Sequence, residues 1–260
     1  MSDAIKHECG IVLLRLRKPL QYYIDKYKTP SYAVNKMYLL MQKQLNRGQD
    51  GVGVANIKID MEPGYRYISR YRTIDSQPIE TLFQKIGRKY QKALKEGEEK
   101  YMDGAWLKQN VAFSGEVWMG HLRYGTHGKN NIENCHPFLR QNNWRSRNLV
   151  VAGNFNMTNV DELFEKLIEL GQHPKEKVDT VTAMEKIGHF LDEENELIFQ
   201  KHKNTHSKAE LTQLIEEKID LQRVLNRSCK DFDGGYAITG MVGYGAAFVA
   251  RDPVGIRPAY

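Results

Sequence analysis

The sequence predicts an α+β fold in which helices cover β-sheets. Short apolar runs typical of strands occur near both ends of the chain, and amphipathic helical patterns fill the stretches between them. The sequence has no internal repeat and no low-complexity linker. Its 260 residues are enough for one large core or two small ones. Such a mixture of elements is typical of sheets sandwiched by layers of helix.

In the first half of the chain, strand and helix patterns alternate. Residues 9–16 form an apolar run that predicts a buried strand. Residues 32–45 carry apolar side chains at helical spacing and follow Ser31, a residue type that caps helices. Next along the chain, the pattern predicts a strand at 52–59, its hairpin partner at 65–71, a long charged helix at 77–100 and a strand at 117–124.

The second half begins and ends with predicted strands. A strand is expected at 148–153, followed by a helix at 159–171 in which Asn159 and Glu162 fit a capping box and Gly171 supplies the stop. Two further helices are predicted at 178–192 and 210–226. The strands predicted at 236–242 and 246–250 are joined by a glycine-rich turn and form a hairpin.

Composition excludes several classes of protein. The chain is 41% hydrophobic, so it folds, but its longest uninterrupted apolar run is five residues, far short of a membrane span. No secretory signal pattern opens the sequence. The net charge is +6, but acidic and basic residues mix within 85–100, which favours a solvated helix face. We therefore expect neither a membrane nor a nucleic acid as partner.

The three cysteines, Cys9, Cys135 and Cys229, are far apart and form no CxxC pair. This pattern indicates reduced thiols in the cytoplasm, and neither a disulfide framework nor a zinc site. His121, His127 and His136 also lack the spacing of a metal site, and His121 is predicted to pack in the core. We expect no metal and no cofactor in this chain.

Three polar, glycine-rich segments interrupt the strand patterns, at residues 47–51, 120–128 and 153–159. Glycine at the end of a strand lets backbone approach a ligand, and neighbouring Arg or Asn side chains can bind an anion. Each segment taken singly is also compatible with an ordinary turn.

Cys9 lies close enough to the start of the chain to become the first residue if a leader, residues 1–8, were removed. An N-terminal cysteine carries its own base, because an α-amine has a pKa of about 7.7 to 8.0. The alternative is a buried structural cysteine, which is common for this residue type.

Together these segments resemble the class II glutamine amidotransferases, which are N-terminal-nucleophile hydrolases. The matching motifs occur in family order, and they are Cys9-Gly10-Ile11, Asn46-Arg47-Gly48-Gln49-Asp50-Gly51, Gly120-His121-Leu122-Arg123-Tyr124, Asn154-Phe155-Asn156-Met157-Thr158-Asn159 and Ala250-Arg251-Asp252-Pro253-Val254-Gly255-Ile256-Arg257-Pro258. The tripeptide Arg47-Gly48-Gln49 makes the chain most similar to the amidophosphoribosyltransferases of purine synthesis.

The resemblance implies a four-layer αββα fold with helical insertions around 77–106 and 200–220, interpreted as surface additions. It implies a glutaminase domain at 9–260, and a phosphoribosyltransferase domain carboxy-terminal to this chain. Glutamine is the implied substrate, its ammonia would pass to phosphoribosyl pyrophosphate to give phosphoribosylamine, and the full enzyme would be a homo-oligomer.

The resemblance also assigns roles to individual residues. Cys9 is the nucleophile, and the Asn154 amide with the Phe155 backbone N–H forms the oxyanion hole. Arg123 binds the carboxylate of glutamine and Asp179 its ammonium, and Arg47 braces Cys9. Phe155 replaces a family glycine in a segment expected to be a loop, and Val178 and Val181 flank the Asp179 motif where the family has Ser and Glu.

Other interpretations remain open at this point. Without the family pattern, Arg123 would be a surface ion-pair partner, Asp179 a charge at a helix start and Asn154 a turn residue. The chain could also be a non-catalytic module that senses glutamine, which the Phe155 replacement favours, or a nucleic-acid-binding domain that uses the basic charge.

Overall fold

The computed structural model describes residues 8–125 and 131–259. It divides the chain into two compact units, residues 1–137 and 138–260, each built on a four-stranded antiparallel sheet. Eight helices and eight strands lie in the part of the chain that the structure describes. The predicted α+β class, with two sheets and helices packed on each, is confirmed.

The first unit has the sheet order β1-β4-β2-β3, so β1 is an edge strand. Its strands and helices are β1 (Gly10–Arg15), α1 (Leu20–Tyr27), α2 (Tyr32–Gln42), β2 (Gly51–Ile57), β3 (Ile68–Thr73), α3 (Pro78–Glu96), α4 (Gly104–Asn110) and β4 (Val117–Arg123). Helix α2 packs on β1 and β4, and α3 packs on β2 and β3. A Cβ on Gly120 of β4 would lie 2.4 Å from the Met37 side chain, so α2 sits close on the sheet there.

The second unit has the order β5-β6-β7-β8. Its elements are β5 (Phe138–Arg140), β6 (Leu149–Met157), α5 (Val160–Glu169), α6 (Asp179–His202), α7 (Lys208–Lys218), α8 (Leu221–Cys229), β7 (Gly234–Val242) and β8 (Ala247–Arg251). The long helix α6 packs on β5 and β6 and against α8. The predicted hairpin of β7 and β8 is confirmed, with Ala237 opposite Arg251.

Several sequence predictions need correction. Asn159 makes no capping bond, because its side-chain amide donates to Asp231 O at 2.8 Å and accepts from Asp233 N at 3.2 Å. The helix predicted at 210–226 is two helices, since Asp220 caps a new one by accepting from Arg223 N. Gly171 has φ +78°, which confirms the predicted stop.

Helix α3 was predicted as part of a surface insertion, and the structure shows that one of its faces is core. Its side chains Ile79, Leu82 and Ile86 are fully buried in the hydrophobic cluster of the first unit. The charged residues seen in the sequence occupy the other faces of the helix, as amphipathic packing requires. The interpretation of residues 77–96 as a purely surface addition is therefore wrong.

The segment after β8 is fixed by the buried carboxylate of Asp252. This carboxylate accepts hydrogen bonds from the backbone N–H groups of Ile256 at 2.7 Å, Arg257 at 2.9 Å and Tyr236 at 3.3 Å. Burial by itself raises the pKa of Asp252, but these N–H donors outweigh it and hold the pKa below its ordinary value.

We expect Asp252→Asn to destabilise the protein at pH 7 by about 1 to 3 kcal/mol, since it leaves N–H donors facing an amide. Because the folded pKa lies below the unfolded one, the stabilisation is complete above about pH 4 and is lost as the pH falls through the folded value. Urea unfolding from pH 7 to pH 3 should therefore show a shallower acid loss in the variant than in the parent. The control Asp161→Asn, at an 84% exposed side chain, should change little.

Candidate active site

Cys9 lies directly before β1 and is half-buried. Its Sγ accepts a hydrogen bond from the backbone N–H of Tyr124 at 3.5 Å. Burial raises the pKa of the Cys9 thiol, and the Tyr124 N–H with the charges of Arg123 and Arg47 offsets part of that rise. The thiol therefore needs a nearby base to react as a thiolate at neutral pH.

Arg123 ends the central strand β4 and is only 7% exposed. The strands on either side of it are β1, where Gly10 lies opposite Leu122, and β2, where Gly51 lies opposite Arg123 itself. The sheet register thus places this guanidinium-bearing residue beside the start of β1, where Cys9 lies. A planar guanidinium in such a position suits a carboxylate ligand.

Arg47 belongs to a short 3₁₀ turn, Leu45–Arg47, that follows α2. Its Nη2 lies 3.1 Å from a carboxylate oxygen of Glu8, the residue that precedes Cys9. The next residue, Gly48, lies against β4, because a Cβ there would be 2.6 Å from the carbonyl C and O of Arg123. The Arg47-Gly48 segment thus contacts Glu8, the residue before Cys9, and packs against the backbone of Arg123.

We expect Gly48→Ala to destabilise the first unit by about 1 to 3 kcal/mol, because the added methyl overlaps backbone that cannot rotate away. Gly87 provides the matched control, since a Cβ there would meet nothing within 4 Å. Gly87→Ala lies inside α3 and should stabilise the protein by up to about 1 kcal/mol. Denaturant unfolding of the two variants checks this, and equal effects would contradict the close approach at Gly48.

Asp50 fixes the segment that follows Arg123, a role that was not predicted from the sequence. Its backbone N–H donates to Arg123 O at 3.1 Å, and its carboxylate accepts from Gly125 N at 2.7 Å. It lies within the family motif at 46–51, and that motif is the signal that could have identified it. The chain on both sides of Tyr124 is therefore fixed.

Asn154 and Phe155 lie within strand β6, which continues to Met157, so the expectation of a loop directly after residue 153 is wrong. Asn154 is 7% exposed and pairs with Ala237, and Phe155 pairs with Tyr236. On the β8 side, the Tyr236 N–H donates to the Asp252 carboxylate and the Tyr236 C=O accepts from Asp252 N. Because opposed residues in an antiparallel pair bond mutually or not at all, the Phe155 N–H points away from β7.

Phe155 also fits closely over its own strand. A Cβ on Gly153 would lie 2.1 Å from the Phe155 ring, so the ring folds back over a glycine two residues earlier. The side chain that replaces the family glycine is therefore accommodated by a second glycine in the same strand.

Asp179 is the first residue of α6 and is half-buried. One of its carboxylate oxygens accepts a hydrogen bond from Met157 N, at the end of β6, at 3.3 Å. The second unit thus brings Asp179 to the end of the strand that carries Asn154 and Phe155. The first unit brings together Cys9, Arg47 and Arg123.

The histidines give no metal site in the part of the chain that is described. His121 is buried, as predicted, and its ring centroid lies 4.1 Å from that of His136. His127 lies outside the described residues. Within residues 8–125 and 131–259, no cluster of three His, Cys, Asp or Glu side chains is placed to hold a metal ion. In the same ranges, no helix has the length and apolar character needed to cross a membrane.

Comparison with known proteins gives several matches. The amidophosphoribosyltransferase of Methanothermobacter thermautotrophicus is 28% identical over 144 residues, which are 55% of this chain and 25% of that protein. The Pasteurella multocida amidophosphoribosyltransferase is 30% identical over 150 residues, 57% of this chain and 26% of that protein. Glutamine–fructose-6-phosphate aminotransferase (isomerizing) of Streptococcus pyogenes is 29% identical over 100 residues, 38% and 16% of the two chains.

No family model matches the chain. The structure of the glutamine phosphoribosylpyrophosphate (PRPP) amidotransferase of B. subtilis, complexed with ADP and GMP, matches with 21% identity and a TM-score of 0.49. That match covers 96% of this chain and 38% of the other.

The sequence matches confirm the resemblance to the glutamine amidotransferases. The curated relatives that it matches include amidophosphoribosyltransferases. It spans about a quarter of the length of these curated relatives.

Proposed function

We propose that this chain is a glutaminase domain that hydrolyses glutamine to glutamate and ammonia through a thioester on Cys9. The observation that supports this best is the position of Cys9, with its Sγ at the Tyr124 N–H and the buried Arg123 at the end of the adjacent strand. Residues 9–260 form the glutamine amidotransferase domain in this proposal, and residues 1–8 are a leader that is removed.

The reaction begins when the freed α-amine of Cys9 takes the proton of the thiol. The thiolate attacks the side-chain carbonyl of glutamine to form a tetrahedral intermediate. This intermediate collapses as the protonated α-amine of Cys9 returns its proton to the leaving nitrogen, which departs as ammonia. Water then cleaves the γ-glutamyl thioester and regenerates the thiol. The Asn154 amide and the Phe155 N–H stabilise the oxyanion, Arg123 binds the α-carboxylate and Asp179 binds the α-ammonium. Arg47 braces the Cys9 backbone.

In the whole protein, we propose that the ammonia passes to phosphoribosyl pyrophosphate to form phosphoribosylamine, the amidophosphoribosyltransferase reaction of purine biosynthesis. A phosphoribosyltransferase domain carboxy-terminal to this chain would perform that step, in a cytoplasmic homo-oligomer. The sequence similarity to amidophosphoribosyltransferases supports this assignment.

The experiment that tests the glutaminase proposal measures glutamate and ammonia release from glutamine by a chain that begins at Cys9. We expect the two products in equal amounts.

Phe155 and the Glu8–Arg47 ion pair favour the second candidate, a glutamine sensor without turnover. Calorimetric binding of glutamine without release of either product would establish the sensor and overturn the glutaminase.

The roles of Asn154 and Arg123 predict opposite kinetic effects. Asn154→Ala should lower kcat about 10²- to 10³-fold with little change in KM, because the oxyanion exists only in the intermediate and its transition states. Arg123→Ala should raise KM mainly, because the carboxylate of glutamine is present in the ground state as well. Steady-state glutaminase kinetics of the two variants decide this, and the reverse pattern would exchange or refute the roles.

A further inference from the structure

Gln44 is a polar side chain that neither the motifs nor the proposed mechanism uses. It lies between α2 and the 3₁₀ turn that contains Arg47. Its backbone is held on both sides, since its N–H donates to Met41 O at 3.0 Å and its C=O accepts from Arg47 N at 2.8 Å. Met41 is itself fully buried under the sheet. The position of the Gln44 side chain is therefore set by the core.

The side-chain amide of Gln44 binds the main chain of β1. Its Nε2 donates to Ile11 O at 3.1 Å, and its Oε1 accepts from Ile11 N at 3.1 Å. A primary amide presents the same donor and acceptor as a peptide group, so Gln44 replaces the neighbouring strand that the edge strand β1 lacks on that side. A Cβ on Gly10 would lie 3.0 Å from Gln44 Oε1, so the amide also packs on the residue directly after Cys9.

We propose that Gln44 is a positioning residue that holds the start of β1 so that the Cys9 sulfur stays at the Tyr124 N–H. It does so by fixing the two residues that follow Cys9 to a backbone anchored in α2. This inference rests on the proposed function for its effect on turnover, but its effect on the Cys9 thiol does not depend on glutamine.

Loss of the Gln44 hydrogen bonds changes both the position and the pKa of the Cys9 thiol. Without the clamp, the main chain at Ile11 bonds to water on its outer side, and Cys9 moves relative to Tyr124. A misplacement on the order of 1 Å is enough to lower a catalytic rate about 10²-fold. Loss of the Tyr124 hydrogen bond also removes one of the interactions that lower the thiol pKa.

The test compares Gln44→Met and Gln44→Glu with the matched control Gln42→Met in the full chain. Gln42 is the same residue type two positions earlier, but its amide donates to Tyr38 Oη and to Glu80 on helices α2 and α3. The readout is the rate of iodoacetamide alkylation of Cys9 as a function of pH, measured on the Cys9 peptide by mass spectrometry. Cys135 and Cys229 are separated from it in the peptide map.

We expect the alkylation midpoint of Gln44→Met to shift to higher pH, whereas Gln42→Met matches the parent. Gln44→Glu should behave like Gln44→Met at pH 8, and its rate relative to the parent should recover as the pH falls to about 4, where a glutamic acid of ordinary pKa is mostly protonated. A protonated carboxyl, unlike a carboxylate, has the donor and acceptor pattern of the amide. Thermal unfolding shows whether Gln44→Met is folded. If it is not folded, the pH profile of Cys9 alkylation in Gln44→Glu alone tests the proposal.

With chains that begin at Cys9, Gln44→Met should lower kcat for glutamine by about ten- to a hundredfold and leave KM within about twofold. Alkylation profiles of both Gln44 variants that coincide with the parent would overturn the proposal. Absence of glutamine turnover in the parent would instead refute the proposed function, and the alkylation profiles would still decide the role of Gln44.

Discussion

Replacing Cys9 with alanine is expected to abolish glutamine hydrolysis, with a loss of at least about a thousandfold in kcat. In the proposed mechanism, the substitution removes the sulfur that forms the thioester. It deletes one atom from a half-buried side chain at the end of a strand, so the fold should be retained. Glutamate release and the unfolding midpoint, measured on the same preparation, check both expectations.

Cys229→Ala is the matched control for this experiment. Cys229 is also a half-buried free thiol, but it ends helix α8 in the second unit, and burial raises its pKa to about 11. Its substitution should leave kcat within about twofold of the parent. Residual activity of Cys9→Ala above about a thousandth of the parent would show that Cys9 is not the nucleophile.

Removal of residues 1–8 is expected to switch the glutaminase on, with an effect as large as the loss of Cys9. While Glu8 is joined to Cys9, the nitrogen of Cys9 is an amide and cannot accept the thiol proton. Once residues 1–8 are removed, this nitrogen is an amine with a pKa near 8. A general base works best when its pKa lies close to the pH of the reaction. The attached Glu8 carboxylate also occupies Arg47, at 3.1 Å.

The sharpest comparison is between chains that begin at Cys9 and at Glu8, which differ by one residue. Only the first should release glutamate at a rate well above background, and its activity should fall as the pH drops below the pKa of the amine, near 8. N-terminal sequencing and intact mass confirm each start. Full turnover by a chain that still begins at Met1 or Glu8 would mean that a different base serves Cys9.

Periodicity predicted the elements that bury a continuous apolar face. Strand β1, helix α2 and the β7–β8 hairpin fall close to their expected positions. Helix α1 was missed, because only Leu20 and Ile24 of its eight residues are buried. Helix α4 was missed because its start depends on Asp103, whose carboxylate accepts from two backbone N–H groups, a feature without periodicity.

Errors elsewhere arose where a side chain had a stronger partner far along the chain. Asn159 fits a capping box by sequence, but it bonds to backbone at Asp231 and Asp233, 72 and 74 residues away. Family motifs predicted the roles of Cys9 and Arg123. Gln44 and Asp50 were missed, because their side chains bind main-chain groups that only the fold brings near them. Gln44 lies 33 residues from Ile11, and Asp50 lies 75 residues from Gly125. No local pattern encodes such contacts.

The most direct test of the central claim is to trap the thioester. A chain that begins at Cys9 is mixed with glutamine, quenched in acid during turnover and analysed by intact-mass and peptide mass spectrometry. We expect a mass increase of one γ-glutamyl group, located on the Cys9 peptide, lost on treatment with hydroxylamine and absent from Cys9→Ala. Turnover of glutamine with no adduct on Cys9 at any quench time, or with the adduct on Cys135 or Cys229, would contradict it.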